Sequence, residues 1–264
     1  MNIQKAVLRI KKSEFTAYRS NVYLNFLFGC VPLVLSILLW RAIYGDKIEL
    51  IGGYSYRQMI TYYVIAFLLS TIINVRDNTV KMAETIENGS IHNYMLKPIG
   101  FFSLNFKLYR AEKLIYFLNI SIPYAVFCVI IHRYIFLNVQ FLHYFLLSVC
   151  LAFVLKYIIG SILGLLTTWI EEISGLLDLW DNIEQFLSGG LLPLSILPAS
   201  LYSLVSFLPF KYVLFVPIDI YMGNMQENEI VRALAIQSAW IIVLGLLLYA
   251  TKRKAFRKYS GYGA

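Results

Sequence analysis

Charge is scarce in this chain of 264 residues: 14% are Asp, Glu, Lys or Arg, against 59% hydrophobic. A soluble domain carries roughly a quarter of its residues charged, so a water-facing globular surface is excluded. Cysteine is equally sparse. Cys30, Cys128 and Cys150 all fall in apolar stretches, which fits buried structural thiols and gives neither a disulfide framework nor metal-ligand spacing. The sequence has no G-x-x-x-x-G-K-[ST], so no loop of the P-loop type can cradle a nucleotide phosphate, and it has no H-E-x-x-H or G-x-S-x-G. His92, His132 and His143 stand isolated. No catalytic residue and no metal site is therefore assigned, and the chain reads as a non-enzyme. The first twenty residues are charged, which speaks against a cleavable leader, and internal repeats and low-complexity tracts are lacking.

What fills the sequence instead is long apolar runs and aromatics, 20 Tyr and 18 Phe, as interfacial belts require. Residues 1–20 predict an amphipathic interfacial helix, with Ile3, Ala6, Val7 and Ile10 on one face and Lys5, Arg9 and Lys12 on another. Apolar stretches at 22–43, 59–75, 114–131, 141–170 and 233–250 each approach the ~20 residues that cross a bilayer. Gly160 and Gly164 permit close helix packing in the fourth stretch. The net charge of +8 reflects positive-inside bias and not nucleic acid: sixteen of the 23 Lys and Arg lie in residues 1–20, in 76–113 or in the tail 251–264. The bias puts both termini and residues 76–101 on the cytoplasmic side.

Residues 76–101 form the longest polar interval. Gly89 can take the left-handed conformation that closes a helix, Ser90 can cap the next, and residues 91–96 read as a short helix ended before Pro98. A capped helix of this kind is a rigid contact element.

Residues 171–185 are helical in pattern yet acidic. At ~100° per residue Glu171, Asp178, Asp181 and Gln185 share an arc of about 80°, with Glu184 beyond its edge. A carboxylate at mid-bilayer costs ~2.5–3.5 kcal/mol, so three approach ~10 kcal/mol and must face protein or water. Hydropathy alone prefers 186–210 as the fifth span and leaves 171–185 at the surface. In the other arrangement Lys156 and Glu184 lie at similar depth and are expected to pair, since intramembrane charges seek partners.

The order of spans, the polar E-x-I-E-N-G-S-I…M-L-K-P interval and the later L-S-G-G-L-L-P-L-S-I-L-P…L-P-F stretch resemble the membrane subunit of ABC-2-type ATP-binding-cassette exporters. The resemblance covers nearly the whole chain. It implies an all-α polytopic fold of six transmembrane helices, with 173–193 as the fifth and 194–222 as short outer re-entrant helices. It further implies that 76–101 couples to a separate ATPase through Glu84, Glu87, Gly89, Ile91, Tyr94, Met95, Leu96, Lys97 and Pro98. Ile91, Tyr94 and Met95 would form the apolar centre of that contact. Asp178, Asp181, Glu184 and Lys156 would line the path or an interface. ATP and Mg would be bound by the partner ATPase and no cofactor by this chain. A second permease, identical or related, would complete the path in a bacterial cytoplasmic membrane, in contact with lipid. The sequence leaves the cargo open. The competing expectation is a secondary transporter or channel that uses the intramembrane carboxylates as an ion relay.

Overall fold

A computed structural model describes residues 3–45, 50–91, 100–170 and 173–260. Ten α-helices carry these residues: α1 Ile3–Ala17, α2 Arg19–Tyr44, α3 Tyr56–Ile73, α4 Arg76–Glu87, α5 Phe101–Ile130, α6 Leu142–Leu165, α7 Ser174–Leu187, α8 Ala199–Ser206, α9 Phe215–Met222 and α10 Glu227–Ser260. No strand occurs among the described residues; a single antiparallel bridge joins Ile51 and Tyr54 in the loop before α3.

Among the described residues, five helical stretches are long and apolar enough to cross a membrane: Arg19–Tyr44, Tyr56–Glu87, Phe101–Ile130, Leu142–Thr168 and Glu227–Phe256. Helix α3 is the centre of the bundle. Ser55 opens it with a reciprocal capping box with Gln58, and Met59, Ile60 and Tyr62 are fully buried. Helices α2, α5, α6 and α9 all contact α3, and α10 packs on α6. The outward faces of α2, α5 and α10 stay apolar, with Phe28, Ile122 and Leu246 each at least 65% exposed. Such faces are stable against lipid and not against water.

α3 stops at Ile73 and the helix restarts at Arg76. Asn74 makes the restart, its side-chain oxygen accepting from the Arg76 N–H at 2.9 Å, while the Tyr109 hydroxyl donates to the freed Ile73 carbonyl at 2.9 Å. The resumed helix, α4, lies tightly on α6. A Cβ on Gly160 would stand 2.6 Å from Thr79 Oγ1 and 2.7 Å from Val75 Cγ1, so only glycine lets the helices come this close. At the far end Gly89, with φ 71°, closes α4 and lets the Ile91 N–H return to the Thr85 carbonyl.

Several expectations change. α7 has 14 residues, about 21 Å at 1.5 Å per residue, short of the ~30 Å hydrocarbon core, and it ends at Leu187 instead of reaching 193. The rival span 186–210 is not a continuous helix either: it breaks into turns, a 3-10 turn at Leu194–Ile196 and α8, because Pro193, Pro198 and Pro209 each remove a helical donor. On α1 the packed face is centred on Val7 and Lys11, whereas Ile10 is 53% exposed. Ile91 is 1% exposed and belongs to a buried cluster with Met82, Ile86, Phe101, Leu165 and Ala255, so its side chain is part of the core instead of an exposed apolar anchor. Cys150 is exposed, not buried as expected, while Cys30 and Cys128 are half-buried.

Candidate functional site

A cavity of about 370 Å³ opens between α2, α3 and α7. Its apolar wall includes Gly29, Pro32 and Leu33 of α2 and Ala66 and Phe67 of α3. Its polar wall includes Asn74, Lys156, Asp181, Glu184 and Gln185. The α7 side of this space is fixed from α3. The Tyr62 hydroxyl donates to the Gly189 carbonyl at 2.7 Å and the Tyr63 hydroxyl to the Leu191 carbonyl at 2.9 Å. Gly189 closes α7 with φ 86°, and a Cβ there would stand 2.6 Å from the Tyr62 oxygen.

The charges form two groups, both anchored on α7. Lys156 Nζ donates to Glu184 Oε1 at 2.5 Å, and both side chains are nearly buried, 12% and 7% exposed. This is the pair expected from their depth in a hairpin of the fourth and fifth helical segments. The Trp180 indole N–H donates to the other Glu184 oxygen at 3.0 Å, so both carboxylate oxygens are satisfied. Arg76 forms the second group. Its guanidinium bonds Asp178 at 2.6 Å and, through its other terminal nitrogen, Asp181. Three carboxylates are thus met by two cations, and of these pairs only Lys156–Glu184 is nearly buried, where a charge is tolerable only when paired.

The sequence-derived residues divide accordingly. Asp181, Glu184 and Lys156 come together at the cavity, whereas Asp178 is exposed, outside its lining, and held by Arg76. Glu171 lies outside the described residues. Glu84 and Glu87 are exposed on α4, clear of the cavity, and Gly89 closes that helix. Tyr94, Met95, Leu96, Lys97 and Pro98 lie outside the described residues. Arg76 was missed by the sequence reading. The signal for it was present: a lone arginine directly after an apolar span, on the side where two unpaired aspartates needed a cation.

Apolar spans around a polar cavity with paired charges on its wall describe a multi-pass membrane protein. Residues 30–263 match the family described as ABC-2 family transporter protein. The chain belongs to that family and is a permease component of ABC transport, a role that implies association with ABC ATPase subunits. Comparison with curated proteins gave no match.

Proposed function

We propose that this chain is the permease subunit of an ATP-driven exporter, with its path along the cavity between α2, α3 and α7. The observation that carries the reading is the placement of Arg76. It is the first residue of α4, and it grips the α7 carboxylates Asp178 and Asp181, the latter in the cavity wall. Movement of α4 is therefore felt directly at the polar wall.

The mechanism follows from rigidity. α4 is held to α6 by glycine-mediated contact and comes before residues 91–96 in the chain, the proposed docking segment. Glu84 and Glu87 supply a polar rim, with Tyr94, Met95, Leu96, Lys97 and Pro98 beyond it. A separate ATPase binds ATP and Mg, and its closure pushes this segment. The break at 74–75 lets α4 tilt relative to α3, and the Arg76 bridge to α7 changes with it. Such a bundle has two packings biased by a bound partner. We further propose that α7, with the turns that follow it, completes a sixth crossing and that 194–222 lies at the outer face. Both termini then face the cytoplasm of a bacterial cell, and a second permease closes the path.

The test is purification of the chain from its own cells. An ATP-binding-cassette ATPase should co-purify, and Tyr94→Asp should lower permease-dependent ATP hydrolysis several-fold while membrane insertion is unchanged. Ion-gradient-driven flux by the chain alone in proteoliposomes would favour the secondary-transporter reading and overturn this one.

A further inference from the structure

A second cavity, about 160 Å³, lies between α1, α4 and α5, away from the charges described above. Its polar lining includes Lys11, Asn78, Lys81, Asn105 and Glu112. Two of these groups lack partners among the described residues. Asn78 is 8% exposed and its amide Nδ2 has no acceptor; Asn105 Oδ1 has no donor. A buried polar atom without a partner costs free energy, and two lining one small cavity point to something that fills it.

The charges say what kind of group that is. Lys11 is 8% exposed and divides its ammonium between Glu14 at 2.8 Å and Glu112 at 2.9 Å. Burial alone would lower the Lys11 pKa, yet its hydrogen bonds to the two carboxylates outweigh that and raise it, so this cation is permanent. Lys81 stands 3.7 Å from Glu112, too far for a hydrogen bond, and its donors remain free for a ligand. With Lys11 already taken up by Glu14 and Glu112, the lining offers the Lys81 ammonium, a spare amide donor and a spare amide acceptor. The cavity's level in the fold supplies the last constraint. Leu114, Phe117 and Leu118, within two turns of Glu112 on α5, are exposed and apolar, while α1 alongside is basic. The cavity thus sits where a lipid-facing helix surface gives way to an interfacial helix.

We propose that this cavity binds the head group of a membrane phospholipid in which a phosphodiester is accompanied by a hydrogen-bond donor. The phosphate oxygens accept from Asn78 Nδ2 and Lys81. The hydroxyl or ammonium of the head group donates to Asn105 Oδ1 and Glu112. Bound this way, the lipid fastens α4 to α1 and α5. The assignment stands on the cavity's own chemistry and does not depend on the transport reading.

The experiment uses the purified full chain in neutral detergent, with retained lipid read by native mass spectrometry and stability by thermal melting. Phosphatidylglycerol and phosphatidylethanolamine should each be retained one-to-one and raise the midpoint. Phosphatidylcholine, whose quaternary ammonium has no N–H, should bind at least tenfold more weakly. Asn105→Leu and Lys81→Gln should each weaken retention of phosphatidylglycerol at least tenfold while elution volume and helical signal stay unchanged. Equal retention of the three lipids, or unaltered retention in both folded variants, would overturn the site. An equal midpoint shift from soluble glycerophosphoglycerol would overturn the lipid as its source.

Discussion

Lys156 and Glu184 show how much a single pair of side chains decides here. Both are nearly buried, and each completes the other's hydrogen bonding. Removing one partner from such a pair costs about 3–5 kcal/mol, because the survivor is left charged and dry. Lys156→Met should therefore lower folded yield and the melting midpoint sharply, and Lys156→Met combined with Glu184→Gln should recover part of the loss. Absence of recovery in the double variant would sink the pairing as the cause. Asp219 offers a second test on a group outside the spans. Burial pushes its carboxyl above the ordinary value of 3.8, partly offset by hydrogen bonds from Asn224 and Tyr54, with Glu229 nearby raising it further. A raised carboxyl binds its proton more tightly when folded, so its favourable contribution is complete below 3.8 and is lost as pH rises through the folded value. Relative to Asp219→Asn, which does not titrate, the native chain should gain stability as pH is lowered from neutral toward 4. Melting curves of the two proteins at several pH values measure this; parallel curves would contradict it.

Among the helices, α4 is the one on whose position the proposed coupling depends, and glycine contact with α6 sets it. With Thr79 Oγ1 2.6 Å from where a Gly160 Cβ would stand, Gly160→Leu must push α4 off α6. Overpacking of this sort costs about 1–3 kcal/mol, read as a lower melting midpoint, and it should also reduce permease-dependent ATP hydrolysis. Arg76→Gln separates the two effects. Its ion pairs are substantially exposed, 34% for Arg76 and 67% and 43% for its partners, so their net worth to stability is ~1 kcal/mol or less. We expect a small change in midpoint but a several-fold fall in coupled ATP hydrolysis, because the link between α4 and α7 is gone. A large midpoint change with normal coupling would assign Arg76 to the scaffold instead.

For the molecule as a whole, most of the spans could be read in advance, since a bilayer demands long apolar runs and hydropathy is local information. The amphipathic N-terminal helix, the glycine that closes α4 and the depth match of Lys156 with Glu184 were legible for the same reason: each depends on spacing along the chain. The length of α7 was not legible. Its end is set by Gly189 turning against Tyr62, a contact 127 positions away along the chain. Nor was the fate of Ile91, which looks like an exposed anchor beside a polar run but is buried in a cluster with Leu165 and Ala255 from distant helices. By itself, then, the sequence determined that this is a helical membrane protein, roughly where it crosses, and which charges would need partners. Tertiary structure decided which partner each charge took, how far α7 runs and where the cavities lie. Apolar length and helical spacing are written in neighbouring residues, whereas pairing and cavity shape arise only when separate helices pack.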